Sequence, residues 1–164
     1  MNYKNGVSFP KPLKTPKKAS RSRLRVAGVS DNAKLKQLIQ KALREGALIR
    51  DKGCVMRDFY EAGKCGGYRK DGELIYQFDH LNSRTHAISF GDIRLGIIVC
   101  LRHHFYYKKQ YPAQYEYFAR KNIGEKRCKL LDKVRADKTP YKVDLKLELI
   151  ALTQEVEKLK KSAV

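Results

Sequence analysis

The sequence predicts an α+β fold, with a small strand-bearing centre between helical flanks and a basic arm in front. Three observations predict it. Apolar residues keep helical spacing after Asp31 and again from residue 112 to the end. Between them, residues 54–100 change character, with glycines at 63, 66, 67 and 72 breaking the chain into short segments. Residues 1–30 carry lysines, arginines and three prolines, and no acid precedes Asp31.

Taken in order, residues 1–30 read as a flexible, disordered arm whose Lys17, Lys18, Arg21 and Arg23 would lie on phosphate. The pair Ser30-Asp31 caps a leading helix over 31–53, in which Leu35, Leu38, Ile39, Ala42 and Leu43 form the apolar stripe. Its Lys and Arg face reads as solvated, with backbone phosphate as the alternative. Residues 54–111 form the centre, in the order strand, turn, strand, loop, helix. Lys70-Asp71-Gly72 reads as the turn, ELIYQF as the strand ending at Asp79-His80, and residues 82–91 as the loop. IRLGIIVC is a further apolar segment leading into LRHHFYYKK, which meets no helix breaker before Pro112. Residues 112–164 read as helical. Leu145, Leu149, Leu152, Val156 and Leu159 alternate spacings of four and three, the seam of a short coiled coil between two chains or of a hairpin within one.

Composition narrows the partners. The 164 residues hold 36 Lys plus Arg against 17 Asp plus Glu, a net charge of +19. Such an excess favours a polyanion through phosphate neutralisation and counterion release. A hydrophobic share of 42% suffices for a core. No apolar run approaches the roughly 18–20 residues of a spanning helix, and no signal-peptide pattern opens the chain, so no membrane partner and a cytoplasmic location are expected.

Without a secretory signal, Cys54, Cys65, Cys100 and Cys128 read as thiols or metal ligands rather than disulfides. Cys54, Cys65, Cys100 and His103 make a candidate structural Zn²⁺ set, since thiolate and imidazole are the ligands zinc favours and a closed site needs four. Cys100-x-x-His103 has knuckle spacing, and Cys65-Gly-Gly allows a tight backbone turn. Ten residues separate Cys54 from Cys65 where a zinc ribbon has two. Cys128 reads as core. Asp79, His80 and His104 form a second set: an imidazole to activate water, and a carboxylate with a second imidazole for a hard divalent cation.

The run Asp79-His80, a loop, then Cys100-x-x-His103-His104 leading into a basic helix resembles the HNH (ββα-metal) nucleases. The flanks LKQLIQKALREGALIRDKGC and YEYFARKNIGEKRCKLLDKVRADK look like phage recombination endonucleases of the NinG (Rap) group, over roughly residues 33–160. The resemblance implies a zinc-stabilised ββα-metal core and Mg²⁺- or Mn²⁺-dependent cleavage of branched or nicked DNA, Holliday junctions or D-loops, in a phage-infected host's cytoplasm. It implies His80 as general base, Asp79 as metal ligand and His104 as metal or phosphate ligand. Cys54, Cys65, Cys100 and His103 would hold zinc. Where the family has its central Asn, the gapless alignment gives Leu95, so that role is vacant or passes to Asp92 or Asn82.

DNA contacts are expected from Arg84, Arg94, Arg102, Lys108 and Lys109 as well as the arm. Tyr106, Tyr107 and Tyr111 are expected to stack on unpaired bases or to enter the core, at least one of them the latter. A junction enzyme would act as a symmetric pair, for which the C-terminal heptads offer a homodimer contact. Two other readings compete: a zinc-stabilised nucleic-acid-binding module without catalysis, and a structural RNA-binding protein of ribosomal type.

Overall fold

The computed structural model describes residues 31–82, 90–137, 139 and 142–163. The basic arm with Lys17, Lys18, Arg21 and Arg23 lies outside the described residues, as does Arg84.

Helix α1 spans Asp31–Asp51, with an acid in its first turn and Arg50 in its last, both favourable to the helix dipole. It buries Ile39, Leu43, Gly46 and Ala47 along one stripe. Positive φ at Lys52 and Gly53 ends it. Two 3₁₀ turns follow, Val55–Asp58 and Tyr60–Ala62.

Strand β1 (Tyr76–His80) pairs antiparallel with β2 (Gly96–Cys100), Tyr76 opposite Cys100 and His80 opposite Gly96. This corrects the expected strand-turn-strand around Lys70-Asp71-Gly72. That segment makes a tight turn closed by the single bridge Tyr68–Leu74, and the partner of β1 comes instead from IRLGIIVC. Its GIIVC is a continuous apolar run, as a strand covered on both faces requires.

The ribbon separates two cores. Phe78 and Ile98 face one, with Ile39, Leu43 and Ala47 of α1. Ile97, Val99 and Cys100 face the other, with Tyr107, Tyr115 and Phe118. Beyond β2, Arg102–Tyr107 is a π-helical stretch that continues into the short helix α2 (Lys108–Gln110).

Helix α3 (Pro112–Ala136) starts on a proline and is broken at Gly124, whose φ is 76°. Its halves fold back on each other. Arg135 reaches Glu116 at 2.7 Å and Arg120 reaches Asp132 at 2.6 Å, whereas nineteen residues of straight helix would span about 28 Å. Helix α4 (Leu145–Ser162) is capped by Asp144, which accepts from the N–H groups of Lys146 and Leu147. Its seam residues Leu145, Leu149, Leu152, Val156 and Leu159 pack into the α1 core, so the heptad stripe closes a contact within the chain.

Two partly buried ties hold the start of β2. Arg50 and Arg127 both donate to the Gly96 carbonyl, at 2.9 and 2.6 Å, while Asp51 accepts from the Ile98 N–H at 3.0 Å. Burial, with Arg50 nearby, brings the Arg127 guanidinium down to about 10. No helix among the described residues is long and apolar enough to cross a membrane.

Candidate metal centre and the Asp79 cluster

Four candidate ligands, three thiols and one imidazole, converge beside the end of β2. The donor atoms of Cys54, Cys65, Cys100 and His103 all lie within 4.8 Å of one another. His103 Nδ1 is 3.2 Å from Cys54 Sγ, 3.2 Å from Cys100 Sγ and 4.0 Å from Cys65 Sγ. A tetrahedral zinc with bonds of about 2.0–2.3 Å would hold such donors about 3.5–3.8 Å apart. His103 is fully buried, with Nε2 3.0 Å from the Ala62 carbonyl. A carbonyl only accepts, so the Nε2 proton sits there and Nδ1 is the atom turned to the sulfurs. The Gly66 N–H donates to Cys100 Sγ at 3.4 Å, and the Cys100 N–H to Cys54 Sγ at 3.3 Å.

The long Cys54–Cys65 interval has a physical use. Its two 3₁₀ turns fold ten residues back so that Cys65 returns to the cluster, and Ala62 within them supplies the carbonyl that orients His103. Gly67 has φ +89° and lies against Leu101, so the glycine pair after Cys65 serves both a left-handed turn and a close approach.

Electrostatically the cluster behaves as one unit. The hydrogen bond with Cys54, together with that from His103, holds the Cys100 thiol down at about 3. The same Cys100 contact and burial push Cys54 far up, and burial pushes Cys65 up. Burial works against the His103 cation, but the Cys100 thiolate outweighs it and raises that imidazole. Three thiolates and one neutral imidazole suit a structural cation such as zinc, whose binding releases the protons these thiols share. Cys128, the fourth cysteine, packs partly buried against the core and donates to the Arg120 carbonyl at 3.4 Å.

One residue along, His104 turns to the opposite neighbour. Its Nε2 lies 3.3 Å from Asp79 Oδ1, and its Nδ1 is buried without a hydrogen-bond partner among the described residues. Lys108 Nζ reaches both oxygens of Asp79, at 2.7 and 2.8 Å, and the Tyr115 hydroxyl donates to Oδ2 at 2.7 Å. Burial alone would raise the Asp79 carboxyl, yet the bonds from His104, Lys108 and Tyr115 outweigh it and hold it below the ordinary carboxylate value. Asp79 itself is 3% exposed.

Strand alternation sends His80 the other way. Its Nε2 is 3.2 Å from Gln40 Nε2 of α1, and its ring packs edge-on to Phe78 and parallel to Phe90. The structure therefore brings Asp79 together with His104 and holds His80 against α1.

The remaining candidates fall as follows. Leu95 is 1% exposed and belongs to the core. Asn82 is buried at the end of β1, and Asp92 grips Arg94 through both oxygens. Arg102 packs beneath Gly66 and donates to the Lys64 carbonyl at 3.1 Å, and Lys109 is exposed. Tyr107 is core while Tyr106 and Tyr111 are exposed. Tyr115 and Lys108 as partners of Asp79, and Gln40 as the neighbour of His80, are contacts of the candidate site that the sequence did not reveal. Only Tyr115 left a signal, a polar tip on a core-facing helix position.

Fold and site together define an α+β, mostly helical protein built on a two-stranded antiparallel ribbon with a Cys₃His cluster able to hold a structural metal such as zinc. No family model, curated protein or solved structure matches the chain.

Proposed function

We propose that the chain is a metal-dependent DNA endonuclease of the HNH (ββα-metal) type, akin to the NinG (Rap) group and acting on branched or nicked DNA. The observation that carries this reading is the convergence of Asp79 on β1 with His104, 3.3 Å apart, in the helical segment that follows β2 and next to the Cys₃His cluster. The charge of +19 supplies affinity for the polyanion.

In this reading Asp79 and His104 hold Mg²⁺ or Mn²⁺. The donor pair, one carboxylate and one imidazole, fits a hard cation in kind, and Lys108 supplies the positive charge that Asp79 otherwise takes. When bound, such an ion polarises a phosphate oxygen and steadies the departing one. His80 would take a proton from water as the water oxygen bonds to phosphorus, for which its ring must leave Gln40 and come round from the face of β1 opposite Asp79. The bond from phosphorus to the leaving oxygen would break, that oxygen would take a proton from solvent, and a phosphate monoester and a hydroxyl end would remain. Gln40 holds His80 until substrate arrives. A pair acting on a four-way junction would meet through the outer face of α4, its inner face being committed to α1.

Cleavage of labelled duplex, single-stranded and four-way-junction DNA, with Mg²⁺, Mn²⁺ or chelator, tests the reading. Metal-dependent products that His80→Ala lowers by two orders of magnitude or more are expected. Salt-sensitive binding with no products under any metal would reject hydrolysis.

A second reading has its own observations: Leu95 buried where the family has Asn, and both Asp79 oxygens already engaged by Lys108 and Tyr115. These favour a zinc-stabilised nucleic-acid-binding module in which Asp79 is a structural carboxylate.

A further inference from the structure

The cations nominated from the motif are largely engaged: Arg94 by Asp92, Lys108 by Asp79 and Arg102 by a backbone carbonyl. A different set stands open on α1. Lys36, Lys41 and Arg44 are exposed, and among the described residues none of them meets a carboxylate. Lys41 and Arg44, three residues apart, are neighbours on the helix, and with Lys36, Gln37 and Gln40 they line one side of a single groove. These residues, with Gln77 and Phe78 of β1 and with Phe90, line an open groove of about 410 Å³. No acid lines it. A second groove shares Lys41 and Arg44 and continues to Tyr68 and Arg69, and carboxylates enter only there, as Glu45 and Glu73.

We propose that this face of α1 is the track for a nucleic-acid strand, with Lys36, Lys41 and Arg44 on successive phosphates. The chemistry is that of a phosphodiester backbone: cations for phosphate, the Gln37 and Gln40 amides for sugar and base edges, and Phe90 and Tyr68 as faces for bases. The track also reaches His80, the imidazole held against α1. Gln40 lines the groove and sits 3.2 Å from His80, while Phe90, which also lines it, stacks on that ring. A strand lying there displaces Gln40 and opens His80. The inference rests on the nucleic-acid reading above and adds which surface carries the strand.

The test is fluorescence anisotropy of the full chain with labelled DNA and RNA oligonucleotides of one sequence, across a salt series. The triple variant Lys36→Gln/Lys41→Gln/Arg44→Gln is compared with Lys121→Gln/Lys126→Gln/Lys133→Gln, which removes the same charge from exposed positions of α3. All six positions are exposed, and a thermal melt of each variant confirms that it folds. The α1 variant should lose about tenfold or more in affinity at low salt, and its log K against log[salt] slope should shrink by about 2–3. The control should lose much less. Equal losses in both variants would mean that net charge alone attracts the strand and would overturn the track. So would an α1 variant that binds like wild type. Failure of the wild type to bind either nucleic acid would overturn the nucleic-acid reading itself. Preference for DNA or for RNA decides which strand uses the track.

Discussion

At the scale of single residues, two neighbours on β1 lead separate lives because a strand points successive side chains to opposite faces. Asp79 is held by Lys108, Tyr115 and His104, and His80 by Gln40. A cation can take Asp79 only by displacing the Lys108 ammonium. Lys108→Met should therefore tighten Mn²⁺ binding about tenfold, or about 1.4 kcal/mol, by titration calorimetry. Unchanged or weaker binding would show that Asp79 is structural. The cysteine cluster makes a second prediction. The purified chain should carry one zinc by elemental analysis, and Cys65→Ser should lose it. Stripping zinc from wild type should remove about 4 kcal/mol of stability relative to free metal at a thousand times its Kd.

At the scale of elements, two contacts decide how the helices sit. A Cβ on Gly46 would come 2.6 Å from Ile93 Cδ1 and 2.8 Å from Val156 Cγ2, so a side chain there must push aside Ile93 and Val156 where α1 meets α4. Gly46→Leu should cost about 1–3 kcal/mol in a denaturant melt. The folded-back halves of α3 are tied by Glu116, which burial alone would raise but which Arg135 and Arg120 hold below its ordinary value. A depressed carboxylate adds stability above its unfolded pKa of about 4.3 and loses it as pH falls through the lower folded value. Glu116 is about a third exposed, so solvent screens part of this effect. Urea midpoints at pH 7 and pH 3 should therefore converge in Glu116→Gln relative to wild type. An identical acid loss in both would place the tie elsewhere.

At the scale of the whole molecule, the ribbon of β1 and β2 is a shared wall. One face closes the α1–α4 core and the other closes the core beside the metal cluster. The excess of 36 basic over 17 acidic residues is spread over both halves. Affinity for DNA should fall steeply with salt, by about a thousandfold between 50 and 200 mM if six phosphates are neutralised. A flat salt profile would remove the polyanion from consideration.

What was determined by the sequence alone is local chemistry. The types and spacing of Cys54, Cys65, Cys100 and His103 already specified a four-donor cluster, because ligand identity is a property of the residues. Helical periodicity placed α1 and α4 and marked 112–136 as helical, because that signal repeats every few residues. Tertiary structure alone decided the rest. It made β2 rather than the Lys70-Asp71-Gly72 segment the partner of β1, and packed the heptad seam against α1. It also set Lys108 and Tyr115, 29 and 36 residues away in sequence, on Asp79. Each of these pairs apolar surface or polar groups far apart in the chain. Their energies exist only once the faces meet, so no local pattern could carry them.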